Sequence, residues 1–122
     1  MKIDNPIVDK SKLFAIRIVK LYQFLVDKKR ENVLSKQLLR SGTSIGANVR
    51  EAVYGQSKSD FIHKMSIALK ETSETQYWLE LLVASGVLTI EQFDDINDDC
   101  CELLRLLTKI VTTAKVNRKI VN

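Results

Sequence analysis

Apolar residues return every three or four positions through four stretches that take up nearly the whole chain, and only short polar breaks separate them. That is the period of an amphipathic helix, not the two-residue period of a strand. The spacing predicts a first helix over 11–28 with the stripe Phe14, Ile18, Leu21, Tyr22 and Leu25, after Pro6 has kept the preceding chain extended. A second, over 32–54, carries Leu34, Leu38, Ile45, Val49 and Ala52, with Lys36, Arg40, Ser44 and Glu51 on its far side. Gly55 ends it, and Ser57 with Asp60, or Ser59, opens a third over 59–85. The third helix lines up Phe61, Met65, Ala68, Leu69, Thr72, Leu79 and Val83, and Gly86 stops it. Thr89 and Gln92 form a capping box for a fourth helix over 90–117, with Phe93, Ile96, Cys100, Leu103, Leu107, Ile110 and Ala114 inward. Four helices of similar length with short connections imply one all-α domain over 1–122, an antiparallel up-down-up-down four-helix bundle.

One segment strains this reading. "RSGTSIGAN" at 40–48 puts Gly42 and Gly46 inside the second helix, at a cost of about 2 kcal/mol relative to alanine. The apolar stripe nevertheless runs through them without losing phase. Gly42 falls within the buried arc and Gly46 at its edge, so both can let another helix backbone come close. A phosphate-cradling loop would need a lysine after its second glycine and a strand before its first, and Ala47 follows Gly46 here.

The net charge of +4 is unevenly spread: residues 1–58 hold 12 Lys/Arg against 5 Asp/Glu, and residues 59–122 hold 7 against 10. A basic cluster such as "DKKREN" can attract a polyanion. In the fourth helix acids fill the first half (Glu91 to Glu102) and bases the second (Arg105 to Lys119), an order that suits the helix dipole. No apolar run is long enough for a membrane span, and "MKIDNPIVDK" carries charges where a signal peptide has its apolar stretch, so a soluble cytoplasmic protein is expected. Cys100 and Cys101, the only cysteines, are adjacent, which argues against a disulfide or a cysteine metal site.

Two helices are apolar on a second side. Leu13, Ile16 and Phe24 lie opposite the stripe of the first, beside Arg17, Lys20 and Gln23. Ile67, Trp78 and Leu81 share a face of the third with Lys64, Glu71 and Glu74. Large apolar residues recurring at helical spacing on a second face point to a protein interface, and self-association is the simplest partner.

"RSGTSIGANVREA" at 40–52, "DFIHKMSIALKE" at 60–71 and "ETQYWLELL" at 74–82 resemble the four-helix bundle proteins encoded in intervening sequences of bacterial large-subunit ribosomal RNA genes. The likeness spans essentially the full chain and rests on Arg40, Ser41, Gly42, Ser44, Ile45, Asn48, Glu51 and Ala52, with Phe61, Ala68, Glu71, Glu74, Tyr77, Trp78 and Leu79 at matching distances. Gly46 belongs to the same motif segment. That family is similar to the accessory protein of diversity-generating retroelements, a homopentameric ring of such bundles that works beside a reverse transcriptase and nucleic acid. The resemblance implies a homopentamer here, with the surplus apolar faces of the first and third helices between subunits and a basic surface repeated around the ring. It implies no enzymatic activity and no cofactor.

Residue chemistry agrees with the absence of catalysis. His63 is the only histidine and falls on the polar side of its helix, which excludes Glu-x-x-His di-metal pairs and ordinary Ser/His or Cys/His dyads. Asp94, Asp95, Asp98 and Asp99 read as a solvated, dipole-matched face, and Cys100 as core packing. Arg40 and Glu51, near Arg50, Ser44 and Asn48, are open to two readings. Arg40 can pair with Glu51, Glu71 or Glu74 across a helix or subunit boundary, or contact phosphate.

Two functions follow. One is an oligomeric RNA- or DNA-binding accessory protein with Lys28, Lys29, Arg30, Lys36 and Arg40 as phosphate contacts; with no aromatics between them, they would read backbone and shape, not bases. The other is a scaffold that engages a partner polypeptide, such as a reverse transcriptase, without nucleic acid.

Overall fold

The computed structural model describes residues 6–121, with side chains through Asn117; the extended segment expected before Pro6 and the side chain of Lys119 lie outside what is described. The chain folds into α1 (Pro6–Asp27), α2 (Leu34–Val53), α3 (Lys58–Ala84) and α4 (Ile90–Val121), with no strand among the described residues. Paired contacts set the direction of each neighbour. Gly42 faces Ile18 while Gly46 faces Ser11, and Arg40 meets Glu74 while Lys64 meets Glu51. Thr72 approaches Cys100 while Gln76 approaches Asn97, and Lys10 meets Glu102 while Arg17 meets Asp95. In each pair one number rises as the other falls, so every neighbour is antiparallel. α1 packs on α2 and α4, α3 packs on α2 and α4, and the α1–α4 seam is the slimmest. This is an up-down-up-down four-helix bundle.

The seam repeats more tightly than a free 3.6 period. Met65, Ala68, Thr72, Thr75, Leu79 and Leu82 alternate steps of three and four along α3, as do Ile7, Ser11, Phe14 and Ile18 on α1 and Ile96, Cys100, Leu103 and Leu107 on α4. A 3.5-residue repeat keeps one seam facing its partners along the whole bundle. Phe61, Leu69 and Val83, expected in the core, flank it half-buried, while Ile62, Thr75 and Leu82 take the central places. Each fully buried Leu or Ile contributes about 1.5–3 kcal/mol, so the central repeat carries most of the stability.

The polar residues inside are matched. The hydroxyls of Ser41 and Thr75 lie 2.9 Å apart across the α2–α3 seam, and Thr75 Oγ1 also donates to the Glu71 carbonyl at 2.8 Å. Thr72 Oγ1 donates to the Ala68 carbonyl at 2.8 Å. Among the described residues no buried side-chain nitrogen or oxygen lacks a partner.

The helix ends show where local chemistry sets the boundaries. α1 starts five residues before the expected Ser11, with Pro6 as its first residue, where a missing N–H and a fixed φ suit the first turn. That earlier start brings Ile7 and Ser11 into the core. α3 opens on Ser57, whose side chain accepts from the Asp60 N–H at 3.0 Å. The Thr89–Gln92 box closes reciprocally at 2.9 and 3.1 Å. Gly86 takes φ +80° after α3, and its N–H reaches the Val83 carbonyl at 3.1 Å while that of Val87 reaches Leu82 at 2.9 Å, which satisfies the last carbonyls. α4 continues past the expected 117 to Val121.

Candidate nucleic-acid interface

Lys28, Lys29 and Arg30 form the turn between α1 and α2 at one end of the bundle, and all three are exposed. The Lys28 N–H still bonds the Phe24 carbonyl, and the Glu31 N–H reaches back to Leu25 at 2.9 Å. Between them Arg30 takes φ 55°, a left-handed conformation that costs an ordinary side chain about 1–2 kcal/mol. The turn thus holds an arginine where glycine would be the relaxed choice. Lys29 Nζ sits 5.9 Å from the centre of the Phe24 ring. Lys36 is exposed on the first turn of α2. None of these four cations has an ion-pair partner among the described residues.

Glu31 in the same run has a different task. Its carboxylate accepts from the N–H groups of Leu34 at 2.7 Å and Ser35 at 2.8 Å, with Val33 at 3.1 Å, and so closes the open amides at the start of α2. Helix α2 therefore begins at Leu34, two residues later than expected, and its N-terminus is already occupied by an anion of its own chain. Burial disfavours the Glu31 charge, but the amides of Ser35, Leu34 and Val33 outweigh it and hold the carboxyl below its ordinary value of 4.5. With the folded pKa depressed, the stabilisation is complete above 4.5 and is lost as pH falls through the folded value. Glu31→Gln is expected to cost about 1 kcal/mol in urea denaturation at pH 7, and the gap should narrow as pH is lowered through and below 4.5. A gap of equal size above and below 4.5 would show that the carboxylate charge does not hold this helix.

Arg40 is committed elsewhere. Its guanidinium forks between Glu74 and Glu71 on α3, with the Glu71 contact at 3.4 Å. Glu74 also accepts from Trp78 Nε1 at 3.0 Å. Burial opposes ionisation of Glu74, yet the Trp78 N–H and Arg40 keep its carboxyl below the ordinary range. Of the two readings of Arg40, pairing across a helix boundary is the one seen, with Glu71 and Glu74 as partners. Glu51 pairs with Lys64 at 2.9 Å. The other polar residues of the glycine segment bond back along their own helix: Ser44 Oγ donates to the Arg40 carbonyl at 2.6 Å and Asn48 Nδ2 to that of Ser44 at 2.9 Å.

The charge imbalance between the two halves is partly settled within the bundle. Lys10 pairs with Glu102 at 2.8 Å, and Arg17 bridges Asp95 and Asp99. The acidic half of α4 therefore does more than match its own dipole, and Arg17 is not simply a solvated neighbour of Lys20 and Gln23. His63 is exposed, and no cluster of His, Cys, Asp or Glu among the described residues has the arrangement of a metal site. Cys100 is buried, and burial, with Cys101 and Glu80 adding repulsion, pushes its thiol up to about 12, which keeps it protonated and unreactive.

The second apolar faces divide. Leu13 and Ile16 stand out from α1 at 62% and 44% exposure, and Val19 extends the strip. Phe24 and Trp78 are half-buried against the core, and Ile67 and Leu81 are half-buried as well. Tyr77, not singled out from sequence as an interface residue, is exposed and meets Trp78 edge-to-face at 5.3 Å. α1 and α3 occupy opposite corners of the bundle, so these strips face away from each other.

Residues 4–109 match the family described as 23S rRNA-intervening sequence protein. The chain belongs to this family. A crystal structure from Bacteroides thetaiotaomicron, a protein of unknown function from the S23 ribosomal protein family, is similar to this family member: 57% identity over 89% of this chain and 97% of the other, with a TM-score of 0.88. No curated protein matches. No helix among the described residues is long and apolar enough to cross a membrane.

Proposed function

We propose that this intervening-sequence protein is a non-enzymatic, homo-oligomeric accessory protein of the cytoplasm that binds nucleic acid, RNA in preference to DNA, through its phosphate backbone. The observation that carries the reading is the clustering of unpaired cations at one end of the bundle. Lys28, Lys29 and Arg30 project together from the α1–α2 turn and Lys36 stands on the first turn of α2, none with an ion-pair partner among the described residues, whereas Lys10, Arg17, Arg40 and Lys64 are matched to carboxylates. Arg30 does so from a backbone conformation that costs stability, and such outliers gather where function holds them. Flexible cations without interleaved aromatics suit phosphate and shape, not base edges. The family description ties these proteins to 23S rRNA, which favours RNA.

Assembly of copies through the Leu13–Ile16 strip and the Tyr77–Trp78 face would repeat the turn around a ring, five times by the likeness to the retroelement accessory protein, and let modest patches act together. Because the two strips lie at opposite corners, pairing one with the other between copies would be head-to-tail, an arrangement that closes into a ring where the rotation per copy permits. The scaffold reading draws on the same exposed apolar strips, with a partner polypeptide in place of a second copy.

The test is fluorescence anisotropy of a labelled structured RNA titrated with nuclease-treated protein between 50 and 200 mM salt. Four phosphate contacts predict an affinity that falls by at least on the order of 100-fold over that range. No binding at the lowest salt would overturn the reading in favour of the scaffold.

A further inference from the structure

The outward face of α4 in its second half is a shallow open groove of about 470 Å³ lined by Leu104, Arg105, Thr108, Lys109, Thr112 and Thr113. All but Leu104 are exposed, and no acid follows Glu102 in the sequence. Arg105 and Lys109 are one turn apart on the same face, and neither has an ion-pair partner among the described residues. Like charges at that spacing repel by a few tenths of a kcal/mol. The helix dipole explains little of this. Its effect is confined to the last turn, whereas α4 runs on to Val121, well beyond Arg105 and Lys109. Glu102, the last acid before them in the sequence, is already held by Lys10 at 2.8 Å.

We infer that this groove is a second phosphate-backbone site, separate from the Lys28–Arg30 turn, in which Arg105 and Lys109 contact phosphates of one nucleic-acid strand and the hydroxyls of Thr112 and Thr113 donate to their oxygens, while that of Thr108 is held by the Leu104 carbonyl at 2.7 Å. The inference rests on the nucleic-acid reading above and extends it to a surface in the opposite half of the bundle. The two cations lie about 6 Å apart along the helix, and Thr112 and Thr113 supply neutral donors beyond Lys109. With no aromatic side chain in the groove, it has nothing on which to stack a base, so backbone is the part of the ligand it fits.

The experiment compares the wild-type protein, Arg105→Gln/Lys109→Gln, and a control of equal charge change, Lys58→Gln/Lys70→Gln, in anisotropy titrations of a labelled RNA hairpin over a salt series. Circular dichroism confirms the helices of each. The α4 pair should weaken binding at least tenfold at 100 mM salt and reduce the slope of log K against log salt by about 2, while the control shifts both far less. Wild-type affinity and slope in the α4 pair would overturn this site and leave the turn standing. Equal losses in both pairs would reduce it to net charge. A wild-type protein that binds no RNA, or that binds anionic vesicles in its place, removes both readings.

Discussion

Gly42→Leu is expected to lower the unfolding free energy by more than about 3 kcal/mol, a large fraction of what a domain of this size possesses. A Cβ at position 42 would lie 2.8 Å from both γ carbons of Ile18 and 3.2 Å from its Cβ. Ile18 cannot step aside: it is fully buried, and branching at its own Cβ leaves few rotamers. A larger residue must therefore push α1 away from α2 along the seam. Gly46 is different, because its Cβ would come no closer than 3.4 Å to the Ser11 carbonyl oxygen, an ordinary contact. Gly46→Ala should then match or exceed wild-type stability by up to about 1 kcal/mol through helix propensity, while Gly42→Ala loses about 1–2 despite the same gain. Urea denaturation of the three variants checks this. A double-mutant cycle sharpens it, since Ile18→Ala, costly alone, should make Gly42→Ala cheaper. Additive effects would show that the close approach is not what requires glycine at 42.

The contrast between the two glycines marks how far the sequence reaches. Periodicity predicts four helices and Gly42 inside the buried arc, because both follow from spacing along one helix, and the short connections between helices of similar length predict their antiparallel order. The α3 core was read slightly out of phase, with Phe61, Leu69 and Val83 placed inward, because apolar residues were counted and Thr75 was not. Thr75 is central because Ser41 waits across the seam with a matching hydroxyl, and such a pair exists only once two helices meet. Arg17 belongs to the same class: on a wheel it stands beside Lys20, and only the α1–α4 packing brings it to Asp95 and Asp99.

The start of α2 shifts by two residues for a local reason. Within "DKKREN" the Glu31 carboxylate folds back onto three amides of α2 while the cations before it face solvent. A carboxylate three or four residues ahead of an apolar helix start was the available signal. The motif residue Arg40 was recognisable as either an ion-pair or a phosphate residue, and its choice of Glu71 and Glu74 needed the register of α2 against α3. The bases of α4 divide: the dipole acts over the last turn, so it bears on those at the helix end and leaves Arg105 and Lys109, more than two turns before Val121, to another account.

Replacing Lys28, Lys29 and Arg30 with glutamate should weaken binding of a structured RNA by on the order of 100-fold or more at 100 mM salt and flatten the salt slope by nearly 3, because each lost phosphate contact forfeits about 0.9 of a released counterion. All three side chains are exposed and make no ion pair among the described residues. Helix content and native mass should therefore be unchanged. The glutamine triple separates lost contact from new repulsion: it should flatten the slope by the same amount with a smaller drop in affinity. Melting temperature guards against one confounding effect, since glutamates beside Glu31 crowd negative charge at the cap of α2 and could loosen its first turn. Unchanged RNA affinity in both triples would remove the turn as the phosphate site. If the wild-type protein instead shows no affinity for RNA and both triples retain a polypeptide partner at native mass, the exposed strips on α1 and α3 become the working surface and the basic turn a device for solubility.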